Sequence, residues 1–275
     1  MVFKPEIWAA QALVSLRKKL VYAGPEVVNH DYEGDIKKLG NVVHIKMVGD
    51  VSVSQYTSGD ILTYEDTPDA ETTLPIDRAD KFSFKVDDVD KAQAGDEMAQ
   101  RMDNAAYNMA NSADQYVAGL YTGVQGANDL GTVAITDGDL AYSSLINLGI
   151  KLDEASVPDE GRYVIVPPWF YGLLLTNEKF VNANKAGTTA GLRQGEVGQV
   201  DKMSVMKSSN VPLITGDDYA ITAGYPGAIS FADQMAEVET LRLETTFATG
   251  VRGLHLYGAK LIRPDGIAVL RASKT

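Results

Sequence analysis

DDVDKAQAGDEMAQRMDNAAYNMANSADQYVAGLYTG, residues Asp87 to Gly123, is the stretch whose reading decides the fold. From Met98 onward, apolar groups recur at Met98, Met102, Ala105, Met109, Ala113, Tyr116 and Leu120. Steps of three and four residues bring side chains onto one face of an α-helix and of nothing else. Asp90 followed by Gln93 is a capping-box pattern serving the orphan N–H groups at a helix start. Gly123 stands where a C-terminal stop is expected. About 33 residues at about 1.5 Å each predict a rod on the order of 50 Å, well beyond the usual three or four turns. Its apolar stripe is narrow and built of Ala and Met, so other elements can approach along its whole length. Such a rod acts as a beam rather than as a bundle member.

Working outward, Phe82, Phe84 and Val86 alternate with Lys81, Ser83 and Lys85 just before the rod. Upstream, Val43, Ile45 and Met47 alternate with His44 and Lys46. Both are half-buried strands, most simply paired antiparallel with each other. Between them Ser54 to Ala79 is rich in Thr, Asp, Ser and Pro, with apolar residues at Tyr56, Ile61, Leu62, Tyr64, Leu74 and Ile76. A loop of that length inside a compact domain is normally functional; it is read as a projecting hairpin that finds its partners on another molecule. At the N-terminus, Pro5 opens a predicted helix to about Tyr22, with Trp8, Ala12, Leu16 and Leu20 on one face and Gly24-Pro25 as the stop. Residues 25–40 read as an extended arm.

Beyond the rod, Thr136 and Asp139 form a second capping-box pattern before Leu145, Leu148 and Leu152. Tyr163 to Val166 is a continuous apolar run, hence a buried strand, and Pro167-Pro168 starts a short helix. Residues 183–195 are mostly Gly, Ala, Thr and Asn and read as a mobile loop. Gly195 to Pro212 reads as a Gly-punctuated strand pair. Ala228 to Phe231 is a short strand. From Val238 the chain is β-rich, with a longer strand at Gly253 to Ile262 and another at Ile267 to Leu270 after the Arg263-Pro264-Asp265-Gly266 turn.

The 275 residues are enough for one large domain or two modest ones. No cysteine is present, which excludes disulfides, thiolate zinc sites and cysteine nucleophiles together. No apolar run approaches the roughly 18 residues of a membrane span, and the N-terminus lacks a signal-peptide pattern. A net charge of −12 argues against a dedicated nucleic-acid binder. It is compatible with enclosing DNA, because a repelling wall lets a polyanion slide.

The search for chemistry is negative. No phosphate-binding loop, GxGxxG, GxSxG elbow or HExxH occurs. His30, His44 and His255 are far apart and lack ligand spacing. The carboxylate groups at Asp87, Asp88 and Asp90, at Asp137 and Asp139, and at Asp217 and Asp218 each have a structural explanation, helix starts foremost. Arg17, Lys18 and Lys19 fit a helix C-terminus. No catalytic, cofactor-binding or metal site is expected.

Three passages together resemble the major capsid proteins of tailed bacteriophages, which share the Hong Kong 97-type fold: FSFKVDDVDKAQAG from Phe82, YVIVPPWFYGLLL with GEVGQVDKMSVMKSSNVP, and GLHLYGAKLIRPDGIAVL from Gly253. KPEIWAAQALVSL and NHDYEGDIKKLGNVVHI are similar to that family's amino-terminal arm. The resemblance implies an α+β fold with a long spine helix. It divides the chain into an arm with a helix (1–47), an extended β-hairpin loop (48–80) over a neighbouring subunit, a peripheral domain (81–125 and 231–275) and an axial domain (126–230). The axial domain would meet its copies at the centres of pentamers and hexamers. Asp201 stands where such proteins usually have Gly, so a local change of turn is expected there.

The implied function is structural: self-assembly into an icosahedral shell enclosing double-stranded DNA without sequence-specific binding. Trp8, Tyr56, Ile61, Leu62 and Tyr64 are the expected subunit-interface anchors. Some relatives cross-link through a lysine of the extended loop; none occurs here between Lys46 and Lys81, so a shell without that bond is expected. The start of the chain four residues before its first helix points to a separate scaffolding protein. A portal, and a decoration protein, complete the implied partners; no membrane is involved. The implied location is the virion capsid, assembled in the host cytoplasm. Two other readings stand beside this one: an encapsulin-like nanocompartment shell with protein cargo, and an enzyme using a carboxylate pair.

Overall fold

The computed structural model describes residues 20–32, 42–47, 53, 55, 70–87, 97–180, 196–243 and 248–274. The rod appears as α1, Glu97–Ala118, followed by a 3-10 turn over Gly119–Gly123. The described helix is therefore 22 residues, about 33 Å. The predicted cap at Asp90 and Gln93 lies outside the described residues. The C-terminal stop is a tightening rather than a clean end: the chain leaves α-geometry at Gly119, and the Val124 N–H reaches the Tyr121 carbonyl at 3.2 Å. The buried face of α1 is broader than the stripe read from Met and Ala spacing. Ala106, Ala110, Asp114, Val117 and Ala118 are buried beside Met102, Met109 and Ala113.

Above α1 lies a three-stranded antiparallel sheet in the order β10 (Ile229–Arg242), β11 (Ala248–Leu261), β3 (Arg78–Asp87). Period-2 alternation sorts β11 between its two faces. Val251, Tyr257 and Ala259 pack toward the helix, and Leu256 packs on the opposite side. Gly253 stands opposite Phe82, whose ring occupies the space a Cβ would fill. The strand expected only at Ala228 to Phe231 continues to Arg242, with an irregularity between Met235 and Glu237.

The pairing expected between the two early strands does not form. β1 (Val42–Met47) pairs instead with β2 (Ala70–Pro75), while β3 pairs with β11. The cause is local: Pro75 has no N–H for a ladder, the strand stops there, and the chain crosses to the larger sheet before resuming. Part of the stretch read as a loop is thus strand.

The second body is a mixed sheet running β4 (Asp129–Ile135), β12 (Ile267–Lys274), β9 (Asp218–Gly224), β5 (Tyr163–Val166), β7 (Met203–Lys207), β6 (Glu196–Val200), with β8 (Leu213–Thr215) on β9. β12–β4 and β5–β7 are parallel. All four residues of β5 are buried, because Val164 and Val166 meet α2 (Gly138–Glu154) while Tyr163 and Ile165 meet the core shared with α1. The cap of α2 is Asp137, accepting from the Leu140 N–H at 2.8 Å, rather than the Thr136–Asp139 pair. Asp139 instead accepts from the Asn177 amide. Pro168 is at the start of α3 (Pro168–Leu174), as its fixed φ suits. Buried Arg162 satisfies itself on Asp153, Asp159 and the carbonyls of Val157 and Pro158, closing the C-terminal end of α2.

Val200 and Met203 are paired across a two-residue hairpin turn, with Asp201 at φ 48° and Lys202 at φ 62°. Both central residues are left-handed, the conformation of a type I′ turn. Asp201, where a local change of turn was expected, thus holds a left-handed backbone that glycine would adopt without penalty. Outside the turn, Lys202 and Asp159 pair at 2.6 Å in solvent, which lowers the Asp159 pKa. Lys202→Gly removes a side chain from a disfavoured conformation at the cost of that screened pair. It should raise Tm by about 2–4 °C in thermal unfolding; a fall would show that the ion pair outweighs the backbone.

Candidate functional site

Between β1 and β2 lie residues 48–69, of which only Val53 and Gln55 are among the described residues. Met47 and Ala70 are register partners, so residues 48–69 depart and return at one place. Their root is fixed on the outer face of β10–β11–β3. Val43, Ile45, Leu74 and Ile76 pack there against Ala232 and Leu256, and all six are buried. The approach is close enough that the backbone of Pro75 and Ile76 fills the Cβ position of Gly258. Lys260 Nζ donates to the Thr73 carbonyl at 2.9 Å. Exposed His44 pairs with Glu71 across the two root strands.

Past Pro75, a polar clamp ties the chain to α1. The Tyr116 hydroxyl donates to Asp77 at 3.1 Å, and the Arg78 guanidinium lies 4.9 Å from the Tyr116 ring centroid. The Tyr257 hydroxyl donates to Asp80 at 2.9 Å and meets Ser112 Oγ at 3.3 Å. The two tyrosine rings meet edge to face at 5.7 Å. Burial, ahead of the neighbouring carboxylates, pushes the Tyr116 hydroxyl up and the Tyr257 hydroxyl up to about 12. Both therefore remain hydrogen-bond donors at physiological pH.

A second anchor holds the N-terminal segment. Residues 25–32, read as an extended arm, instead run as turns. Leu20, Tyr22, Ala23, Val27 and Val28 are buried between α1 and the sheets. The Asp114 carboxylate, 2% exposed, accepts from the Val21 N–H at 2.9 and 3.1 Å and from the Ala23 N–H at 3.0 Å. Asn29 then bridges β10, its N–H on the Ile229 carbonyl and its carbonyl accepting from Phe231. Burial pushes the Asp114 pKa up, opposed by the backbone N–H groups and the Asn210 side chain.

The expected interface residues Trp8, Tyr56, Ile61, Leu62 and Tyr64 lie outside the described residues. Sequence reasoning missed Asp114, Gly258 and the Asp77–Tyr116 and Asp80–Tyr257 pairs. Two signals pointed to them: an acid inside an Ala-rich helical face, and a glycine inside a strand, which marks close backbone approach. The histidines do not converge. His44 is exposed, His30 reaches the Ala23 carbonyl, and His255 is buried with Nε2 3.1 Å from Asp233. Among the described residues no group of three or more His, Asp or Glu could hold a metal ion. No described helix is long and apolar enough to cross a membrane.

A long helix under a three-stranded sheet, a strand pair seated on that sheet's outer face and residues 20–32 packed into the core are the features that define this class of α+β subunit. The sequence profile of the family described as Phage capsid protein matches residues 70–270, and the chain belongs to that family. It is similar over 91% of its length, and 90% of the other chain's, to a structure of Mycobacterium phage Che8, at 32% identity and a TM-score of 0.71. The capsid of the cyanophage P-SCSP1u matches at 20% identity and 0.70, covering 94% and 90%. The SrpI encapsulin of Synechococcus elongatus PCC 7942 matches at 12% and 0.57, covering 86% and 83%, a likeness of fold alone. No curated protein matches the chain. The protein is thus a phage major capsid protein of the Hong Kong 97-type fold, a self-associating component of the icosahedral virion shell.

Proposed function

We propose that the subunit assembles as pentamers and hexamers around double-stranded DNA and catalyses no reaction. Residues 1–47 act as the arm, 48–80 as the extended loop, 81–125 with 231–275 as the peripheral domain, and 126–230 as the axial domain. Residues 48–80 lie over a neighbouring subunit, with Tyr56, Ile61, Leu62 and Tyr64 as loop anchors and Trp8 as the anchor of the arm. A separate scaffolding protein, a portal and a decoration protein are its partners, and assembly takes place in the host cytoplasm. The observation that carries this reading is the pairing of Met47 with Ala70: both ends of a 22-residue excursion are held in one small sheet. Each contact can be modest, because a closed shell makes many at once.

Alanine at Tyr56, Ile61, Leu62 and Tyr64 together should reduce particle yield by about tenfold or more, the effect of losing roughly one hot-spot side chain per contact. The dissociated chain should keep its circular dichroism and Tm. Wild-type yield from that variant would remove the anchor assignment. Nucleic acid extracted from particles purified from infected cells tests the cargo; a protein cargo in its place would favour the nanocompartment reading.

A further inference from the structure

The helix with its three-stranded sheet and the mixed sheet of the second body meet along one seam. Among the described residues the chain passes between the two bodies at three 3-10 turns, Gly126–Asn128, Pro226–Ala228 and Pro264–Gly266. These crossings are tied side by side. The Gln125 N–H donates to the Pro264 carbonyl at 3.1 Å, the Ile262 N–H to the Ala228 carbonyl at 2.8 Å, and the Asn128 amide to the Asp265 carbonyl at 2.8 Å. Crossings gathered at one place make a hinge, because a few backbone angles there carry any change in the angle between the bodies.

Residues 20–32 fill the seam beside that hinge. Asn29 is bonded to Ile229 and Phe231, directly after the Pro226–Ala228 turn. Tyr22, Val27 and Val28 share one core with α1 and with Tyr163 and Ile165 of β5. The α1 side of that core is mostly alanine, at Ala106, Ala110, Ala113 and Ala118, a smooth face over which packed elements can shear. Toward α1 the segment is held by Asp114 on the Val21 and Ala23 N–H groups. Toward the mixed sheet it presents the Tyr22 hydroxyl. That group is fully buried, with Thr222 of β9 and Tyr163 among its polar neighbours, yet no described residue completes a hydrogen bond to it. Burial pushes its pKa up, so the hydroxyl keeps its proton. An unpaired buried donor carries a desolvation cost that one bond would recover.

We propose that residues 20–32 are a wedge that sets the angle between the two bodies, with two arrangements. In one the Tyr22 hydroxyl is open, as described; in the other it is bonded to Thr222. The bond gained in the second arrangement offsets the cost of leaving the first, which keeps the two close in free energy. Closure of a shell depends on the angle at which its subunits meet, so the bend of the subunit is read out as particle diameter.

Tyr22→Phe tests it, because it removes the bond and keeps the ring. The Tm of the dissociated subunit should stay level or rise, since the described arrangement loses no bond. The ratio of off-diameter to normal-diameter particles should rise by about fivefold or more, the population shift of one ordinary hydrogen bond. Thr222→Val should shift that ratio in the same way, and the double variant should go no further than either single change. A wild-type diameter distribution from Tyr22→Phe overturns the proposal. So does a lowered Tm with fewer particles of normal diameter, the mark of a residue that only packs, and so does an additive double variant. Wild-type particles give the direct reading. In a cryo-EM map, at least one class of subunit position should bring the Tyr22 and Thr222 oxygens within about 3 Å; an open pair at every position overturns the wedge.

Discussion

Gly258→Ala should abolish particle formation and lower the Tm of the dissociated subunit by roughly 6–12 °C, the shift expected for a loss of about 3 kcal/mol in a chain of this size. The cause is backbone meeting backbone. The added methyl would lie inside contact distance of the Pro75 carbonyl oxygen and 3.0 Å from both the Pro75 carbonyl carbon and Ile76 Cα. A flexible side chain could swing aside at modest cost, but here the chain crossing β11 must lift. Lifting it exposes Leu74, Ile76, Val43 and Ile45, all buried now, and pulls Asp77 and Asp80 from Tyr116 and Tyr257. The root of residues 48–69 then loses its aim. Gly172→Ala is the matched control: nothing lies within 4 Å of its Cβ position, and in the interior of α3 alanine should be neutral or mildly stabilising. Equal Tm loss in the two variants would show that the crossing at Gly258 is not the cause.

The elements visible in the sequence were those whose order is set by near neighbours. The rod, the alternation around Ile45 and the buried run at Tyr163 each declare a period within one turn or one pleat, and the structure places helix, strand and strand there. The resemblance carried the order of those pieces and the capsid assignment. What stayed hidden depends on partners far along the chain. Nothing near Phe84 says that its strand joins Val251 rather than the strand at Ile45; Pro75 was the available hint. The burial of Val27 and Val28 in a stretch without periodicity is likewise a product of packing against α1 and the sheets. The site divides in the same way. Loop composition raised the expectation of a surface for other molecules, on residues outside the described ones, whereas the root of that segment is made by a glycine, two tyrosines and two aspartates that meet only after folding.

Asp114→Ala should be the second large effect, about 3–5 kcal/mol of subunit stability. The carboxylate is the acceptor for the Val21 and Ala23 N–H groups, and each buried donor left without an acceptor costs about 1–3 kcal/mol; loosened packing of Tyr22 and Val27 adds to that. Chemical unfolding measures the loss, and faster proteolysis within residues 20–32 locates it. Asp114→Asn, which keeps the shape and one acceptor oxygen, should fall between alanine and wild type. The pH dependence has a definite sign. Burial is the largest influence on Asp114 and raises its pKa in the fold, so the folded chain binds that proton more readily than the unfolded chain. The stabilising contribution of this linkage is complete below the ordinary carboxylate range and is lost as pH rises through the folded value. The stability of wild type minus that of Asp114→Asn should therefore decline with rising pH across that window. An advantage that grows instead would mean that the backbone donors outweigh burial. Asp114 would then hold the N-terminal segment as a fully ionised clamp, and acid would release it.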